Sequence, residues 1–433
     1  MIEARTLGRL LDAPTHRRFS VTTVAAPVGD PARLISLDHR EPSFLTSRDG
    51  QTTVGIGETW SVESEGTDRF AQLERARLRL RSDLSCDGAF QPRLLGGFAF
   101  AEERISTDFP PCVFTLPRWT YWSDGTIALL SFAADRSKPI DAARRAHERE
   151  CIIKALCAGR SSEEEVLVAS RECAGPNYRE LVADARAAIR RGALSKVVLA
   201  RRVSMHLARP VVPEALLARL RKNHPRATTF AVRRRGRMFL GATPELLVSK
   251  HGRHVVTEAL AGTAGRDIAA EAFELLGKER HEHEIVARHI DSRLRPMCAT
   301  LFRSPAPRAD VMGQLMHLRT RFEGELAGDP TACDLIAALH PTPAVAGWPT
   351  EAACRWIAEH EGFDRGWYAG GVGWIDTAGD GEVSVALRAG LFDGSRAELY
   401  AGAGIVAGSD PDAEYAETEL KLRTLLDVLD GAS

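Results

Sequence analysis

The stretch from Thr228 to Gly262, TTFAVRRRGRMFLGATPELLVSKHGRHVVTEALAG, constrains the fold more than any other part of the chain. Short runs of β-branched and apolar residues follow one another, separated only by brief Gly-, Pro- and Arg-bearing turns. It reads as consecutive antiparallel strands. A second stretch, WYAGGVGWIDTAGDGEVSVALRAGLFDGSRAELYAGAGIV at 367–406, has the same character, with Gly and Asp at its turns. Helical patterns stand apart from these runs: 178–194, a segment beginning near Leu275, one from Thr331, and the closing 411–429. Strands and helices are segregated and do not alternate, so an α+β fold with mainly antiparallel sheets flanked by helices is expected, not a doubly wound one. The glycines of AGAGIV are followed by strand residues, not by a helix, and so do not make a dinucleotide fingerprint.

Residues 1 to about 165 alternate strand-like runs with a charged helix, FAQLERARLRLRSDL, and a longer helix over 140–157. The acidic GRSSEEEV at 159–166 reads as a joint between an N-terminal half (1–165) and a second half (177–429) of one large domain, 1–433. The short basic run RRRGR at 233–237 reads as a solvated edge or turn.

Composition removes several function classes. A net charge of −1 leaves no electrostatic footprint for nucleic acid or an anionic membrane. Eight cysteines without a CxxC pair argue against a zinc ribbon, a redox motif or a disulfide framework. The N-terminus lacks a signal-peptide pattern, and no stretch approaches the ~20 apolar residues of a membrane span. The expected location is cytoplasmic.

In GKERHEHEIVARHI, 277–290, Glu279 and Glu282 lie three apart and so share one helix face, among His281, His283 and His289. Lys278 and Arg280 nearby allow the plain reading, a solvated charged face. The histidine spacing suits zinc poorly, since there is no HExxH. The closing helix repeats the pattern with Glu414 and Glu417, followed one turn later by Lys421. Two such pairs form an oxygen-rich set of the kind that suits a hard cation such as Mg²⁺.

Nine motifs now make the chain familiar: LSKVVLARR (194–202), ATPELLVS (242–249), EALAGTAGR (258–266), KERHEH (278–283), MHLRTRFEG (316–324), ALHPTPAVAGWP (338–349), WYAGGVGW (367–374), VSVALRAG (383–390), and YAGAGIV with EYAETELKL (400–406 and 414–422). In this order they resemble the chorismate-utilising enzymes, the family of isochorismate, salicylate, anthranilate and aminodeoxychorismate synthases. The resemblance covers about 177–429 and implies the anthranilate synthase large-subunit fold. It implies Glu282 and Glu417 as Mg²⁺ ligands, with Glu279 and Glu414 supporting through water, and the three histidines as bystanders. It further implies that the ring carboxylate of chorismate meets Mg²⁺ and the N–H groups of Gly402–Gly404. Arg388 and Tyr368 are implied for the enolpyruvyl carboxylate, Lys421 as a further anion contact, and Thr263 and His317 as ring contacts.

By the same resemblance Lys196 is the base that activates water, and Glu245 the acid that protonates the departing hydroxyl. Placement of Lys196 in an apolar strand is expected to lower its pKa by desolvation. The HPTPAVAGWP form resembles isochorismate synthases, with salicylate synthase as the alternative. No glutamine amidotransferase partner is expected, since nothing in the chain reads as one and Lys196 points to water as nucleophile. A non-catalytic binding protein on the same fold would not need both Lys196 and Glu245.

Overall fold

The computed structural model describes residues 17–38, 40–88, 90–103, 108–158, 168–174, 176–266, 269–312 and 315–430. The N-terminal residues 1–16 and the acidic 159–166 lie outside them. The hairpin Thr228–Arg234/Arg237–Thr243 turns on Arg235 and Gly236, both at positive φ (48° and 82°). Such a two-residue turn has a twist that suits its strands. Helix starts also follow local chemistry. Asn177 accepts from Arg179 N to open Tyr178–Arg190, Thr331 forms a capping box with Asp334, and Asp410 caps Pro411–Leu429.

Among the described residues the strands form two sheets, of thirteen and ten strands. The first places Lys196–Leu207 beside Arg396–Ile405, then Ala389–Asp393, Arg237–Thr243, Thr228–Arg234 and Ser43–Arg48. The second runs from Leu315–Leu326 through His254–Gly265, Leu246–His251, Gly381–Val385 and Gly371–Asp376 to Arg93–Phe98. Among the described residues every ladder is antiparallel except Phe19–Ala25 with Leu84–Cys86. Strands from the first 140 residues extend both sheets, pairing Ser47 with Thr229 in one and Phe98 with Gly371 in the other.

The two sheets face each other across Phe44, Phe230, Val232 and Phe239 on one side and Leu95, Val113, Val372 and Trp374 on the other. Burial of each such side chain contributes roughly 1.5–3 kcal/mol. Leu217, Leu220, Leu422 and Leu425 belong to a second core, where the helices Pro213–Asn223 and Pro411–Leu429 cover the outer face of the first sheet. Val286, Ala287 and Ile290 of Gly277–Leu294 pack with Val255 and Ala259 of the second sheet.

Two details depart from the sequence reading. Only Arg235–Gly236 of the RRRGR run is an exposed turn, because Arg233 and Arg234 are buried in the strand and Arg234 donates to Glu63 at 2.8 Å. The four strands of 228–265 also do not form one meander: the chain leaves the first sheet at Thr243 and joins the second at Leu246. A matching crossing runs the other way, from Val385 in the second sheet to Ala389 in the first. The crossings lie side by side, tied by Val385 N to Glu245 O (3.0 Å), Thr243 Oγ1 to Val385 O (2.6 Å) and Ala242 N to Arg388 O (3.3 Å).

Candidate active site

Glu245 and Arg388 both sit on these crossings, and both line a cleft of about 650 Å³ that opens to solvent. Pro244 has no N–H for a ladder, which suits a point where a strand changes sheets. Arg388 adopts φ 50°, an uncommon conformation for a non-glycine residue that is found where surrounding structure enforces it. The carboxyl of Glu245 is buried. Burial, with the Glu258 charge, raises its pKa to about 8 against the opposing pull of Lys196. At neutral pH it is therefore a protonated, proton-donating group.

Arg388 is half-buried, and desolvation of its guanidinium lowers its pKa only to about 10, so it stays charged. Its Nη2 lies 2.9 Å from His317 Nε2, while its Nη1 has no hydrogen-bond partner among the described residues. A guanidinium can only donate, so His317 Nε2 accepts; its Nδ1 then carries the proton, directed at Gly262 O (3.2 Å). Burial and the Arg388 charge keep His317 neutral, well below the ordinary histidine range. Thr263 Oγ1 lies 3.3 Å from the same Nδ1. A buried, unpartnered guanidinium N–H facing a cleft is costly unless an anion completes it.

The opposite wall is a strand edge. Arg396–Ile405 pairs with Lys196–Leu207 along Val198↔Gly404 and Ala200↔Gly402. Val198 N donates to Ala346 O, its O accepts from Arg365, and Ala200 N donates to Glu361, so these groups point away from the ladder. In an antiparallel pair, residues opposite such positions also turn their N–H and C=O outward. Gly402 and Gly404 therefore present main-chain groups on their free edge, where pairing with Ala389–Asp393 has ended at Leu399. Lys421 Nζ meets Gly402 O there at 2.8 Å.

Lys196 lies at the start of its strand with no exposed surface, its Nζ 3.0 Å from Glu282 Oε1. Burial alone would raise the Glu282 pKa, but the charge and hydrogen bond of Lys196 bring it below the usual carboxylate value. A Cβ at position 404 would stand 2.1 Å from Glu282 Oε1 and 3.0 Å from Lys196 Cε, so only glycine leaves room for this pair. Gly404→Ala is accordingly expected to lower kcat/KM at least tenfold while costing about 1–3 kcal/mol of stability, the usual range for overpacking. Steady-state rates beside thermal melts would check this.

The carboxylate pairs are not a solvated face. Glu279, Glu282 and Glu414 are buried, and Glu417 is partly so. Each has a cationic neighbour: Lys278 lies 2.7 Å from Glu414 and 3.7 Å from Glu279, and Lys421 lies 2.5 Å from Glu417. Glu279 also accepts from Thr263 N at 3.0 Å. As their side chains stand, no three acidic, His or Cys groups among the described residues converge on one metal point. Their chemistry nevertheless suits a hard cation. Burial, then the neighbouring Glu282, holds Glu279 at about 7, and burial with Glu417 raises Glu414, so added positive charge would relieve both. His283 is a packing residue, 2.7 Å from Thr320 Oγ1 and held neutral by burial, with a pKa of about 4. His289 is likewise buried and neutral, and His281 faces solvent.

Of the residues singled out by sequence, Glu245, Thr263, Glu282, His317, Tyr368, Arg388, Gly402, Gly404 and Lys421 line the cleft. Lys196, Glu279, Glu414 and Glu417 do not line it; Lys196 adjoins Glu282 and Gly404, and Glu279 adjoins Thr263. Sequence reading missed Tyr400, stacked on Tyr368 at 5.2 Å, and Arg365. The i,i+4 acid and base in EGFDRG were the available signal for Arg365.

A buried acid, a buried amine, a guanidinium with an unpartnered N–H and a strand edge with outward main-chain groups are gathered about one cleft. Residues 11–430 match the family described as chorismate binding enzyme. The chain is 33% identical over 403 residues to the salicylate biosynthesis isochorismate synthase of Pseudomonas aeruginosa, covering 85% of this chain and 80% of that protein. It is 32% identical over 412 residues to the isochorismate synthase MenF of Bacillus subtilis, covering 88% and 86%. The solved structure of the menaquinone-specific isochorismate synthase of Escherichia coli superposes with a TM-score of 0.82 at 26% identity, covering 98% of each chain. The chain belongs to the chorismate-binding enzyme family.

Proposed function

We propose that the protein is an isochorismate synthase, an isomerase that adds water at C2 of chorismate and expels the C4 hydroxyl. The observation that carries this reading is one buried acid and one buried amine set about a cleft whose guanidinium has an unpartnered N–H. Chorismate brings two carboxylates. Arg388 Nη1, with Tyr368 beside it, takes the enolpyruvyl carboxylate, and the outward N–H groups of Gly402 and Gly404 take the ring carboxylate, with Lys421 holding the Gly402 carbonyl. Thr263 and His317 form the adjoining wall, and His317 serves Arg388 through Nε2.

Lys196, in its neutral amine form, accepts a proton from a water as the water oxygen bonds to C2, the two ring double bonds each move one position, and Glu245 delivers its proton to the hydroxyl leaving C4. Water is consumed and released in equal amount, so the product has the mass of the substrate. Mg²⁺ held by Glu282 and Glu417, with Glu279 and Glu414 behind them, would supply positive charge for the ring carboxylate and withdraw electron density from the diene. With water as nucleophile, no ammonia-supplying amidotransferase is required.

Incubation of the purified protein with chorismate, with Mg²⁺ or with EDTA, tests the reading by NMR and mass analysis. The expected product is isobaric with chorismate, forms reversibly, and forms only with Mg²⁺. Salicylate with pyruvate would move the assignment to salicylate synthase, and no turnover in either condition would overturn it.

A further inference from the structure

The strand Lys196–Leu207 has a gap along its outer edge. Gly347–Trp348 pairs with Lys196 and Val197, and Val168–Ala174 pairs from Arg202 onward, which leaves 198–201 without a strand neighbour on that side. Ala346 O accepts from Val198 N there, and the other outward groups of the gap are met by two side chains. Glu361 Oε1 accepts from Ala200 N at 2.8 Å, and Arg365 Nη2 donates to Val198 O at 2.7 Å. The two are ion-paired, with Arg365 Nε 2.8 Å from Glu361 Oε2, and side-chain exposure of 2% and 0%. Arg365 Nη1 also donates to Val345 O at 2.8 Å, and its guanidinium lies 4.4 Å from the Phe100 ring centroid.

These contacts reach three parts of the site. Val198 is two residues beyond Lys196, Val345 and Arg365 line the cleft, and Arg365 O accepts from Tyr368 N at the turn that carries Tyr368. A buried ion pair is a poor source of stability, since its desolvation cost offsets much of its attraction. Its planar fork and carboxylate are instead well suited to fixing backbone groups in direction and distance.

We infer that Glu361 and Arg365 are positioning residues for the reaction. They act as a two-residue substitute for a missing strand and hold the segment after Lys196 in register, so that its amine stands at the water-attack position. The inference rests on the isochorismate synthase reading for its kinetic arm but not for its structural arm. In the double variant Glu361→Leu/Arg365→Met both charges are removed together, which leaves no unpaired buried charge. It leaves Ala200 N, Val198 O and Val345 O without those partners, so it should fold with a lower melting temperature than the parent. Its Ala200 amide should exchange with deuterium faster than the parent's, while amides elsewhere in the sheet stay protected.

With chorismate, kcat should fall about 100-fold, the scale of a misplacement near 1 Å, with KM changed less than threefold. Arg365→Lys keeps the charge but loses the fork and should show the same split in smaller measure, which covers the case of a double variant that does not fold. A folded variant with parental kcat, or a parental exchange rate at Ala200, would overturn the inference. A parent that does not turn over chorismate would overturn the function reading and leave the exchange result to decide the positioning role.

Discussion

Lys196→Gln is expected to lower kcat for chorismate by about 10²–10⁴-fold, the range of a single general base, with little change in KM. Glutamine keeps a donor for Glu282 Oε1, which Lys196 Nζ approaches at 3.0 Å, but cannot accept a proton from water. The substitution also leaves the cleft walls intact, because Lys196 adjoins the lining residues Glu282 and Gly404 without being one of the lining side chains itself. Burst and steady-state rates at matched Mg²⁺, with a thermal melt to verify folding, give the measurement. A variant within fivefold of the parent would remove Lys196 from the mechanism.

The second large effect is that of Glu245→Gln. Its loss in kcat should be of similar size, and the variant should alter the pH profile in a defined direction. Glu245 donates only when protonated, and its pKa is about 8. The parental rate should therefore fall as pH rises through 8, and the residual rate of the variant should lack that descending limb. Stability follows the same proton. An unfolded glutamate titrates at about 4.3, so between that value and about 8 the folded state binds the extra proton. Stability linked to Glu245 is fully present at low pH and is lost as pH rises towards 8. Glutamine, neutral throughout, does not lose it. The melting temperature of the variant should gain on the parent's between pH 5 and pH 8 and run parallel above. Parallel curves across the whole range would show that Glu245 ionises normally.

What the sequence disclosed of this molecule was the local part. The helix from Thr331, the turn within RRRGR and the three-residue spacing of the carboxylate pairs are each decided within a few residues. The crossings at Pro244–Glu245 and Ala386–Arg388 were not legible, because a short break between strands looks alike whether the chain doubles back or passes to another sheet. Lys421 was in view one turn from its partner Glu417, but Lys278 was hidden as the partner of Glu414, which it reaches across 136 positions of chain. The gap beside Ala200 was invisible for the same reason, since Glu361, which fills it, is 161 positions away. Assignment of the cleft residues depended on motif resemblance, which carries such distant pairings implicitly.

The paired crossings have a mechanical consequence. A strand confined to one sheet can slip by two residues and keep its buried face. A chain laddered into one sheet before Glu245 and another after it must break both sets of pairings to move at all. The chain through Arg388 is under the same constraint and is stitched to the first. Glu245 and Arg388 are thus indexed to one another by four ladders, and thermal breathing of either sheet carries both together. The spacing between them is the part of this cleft that mutation of its walls can least disturb.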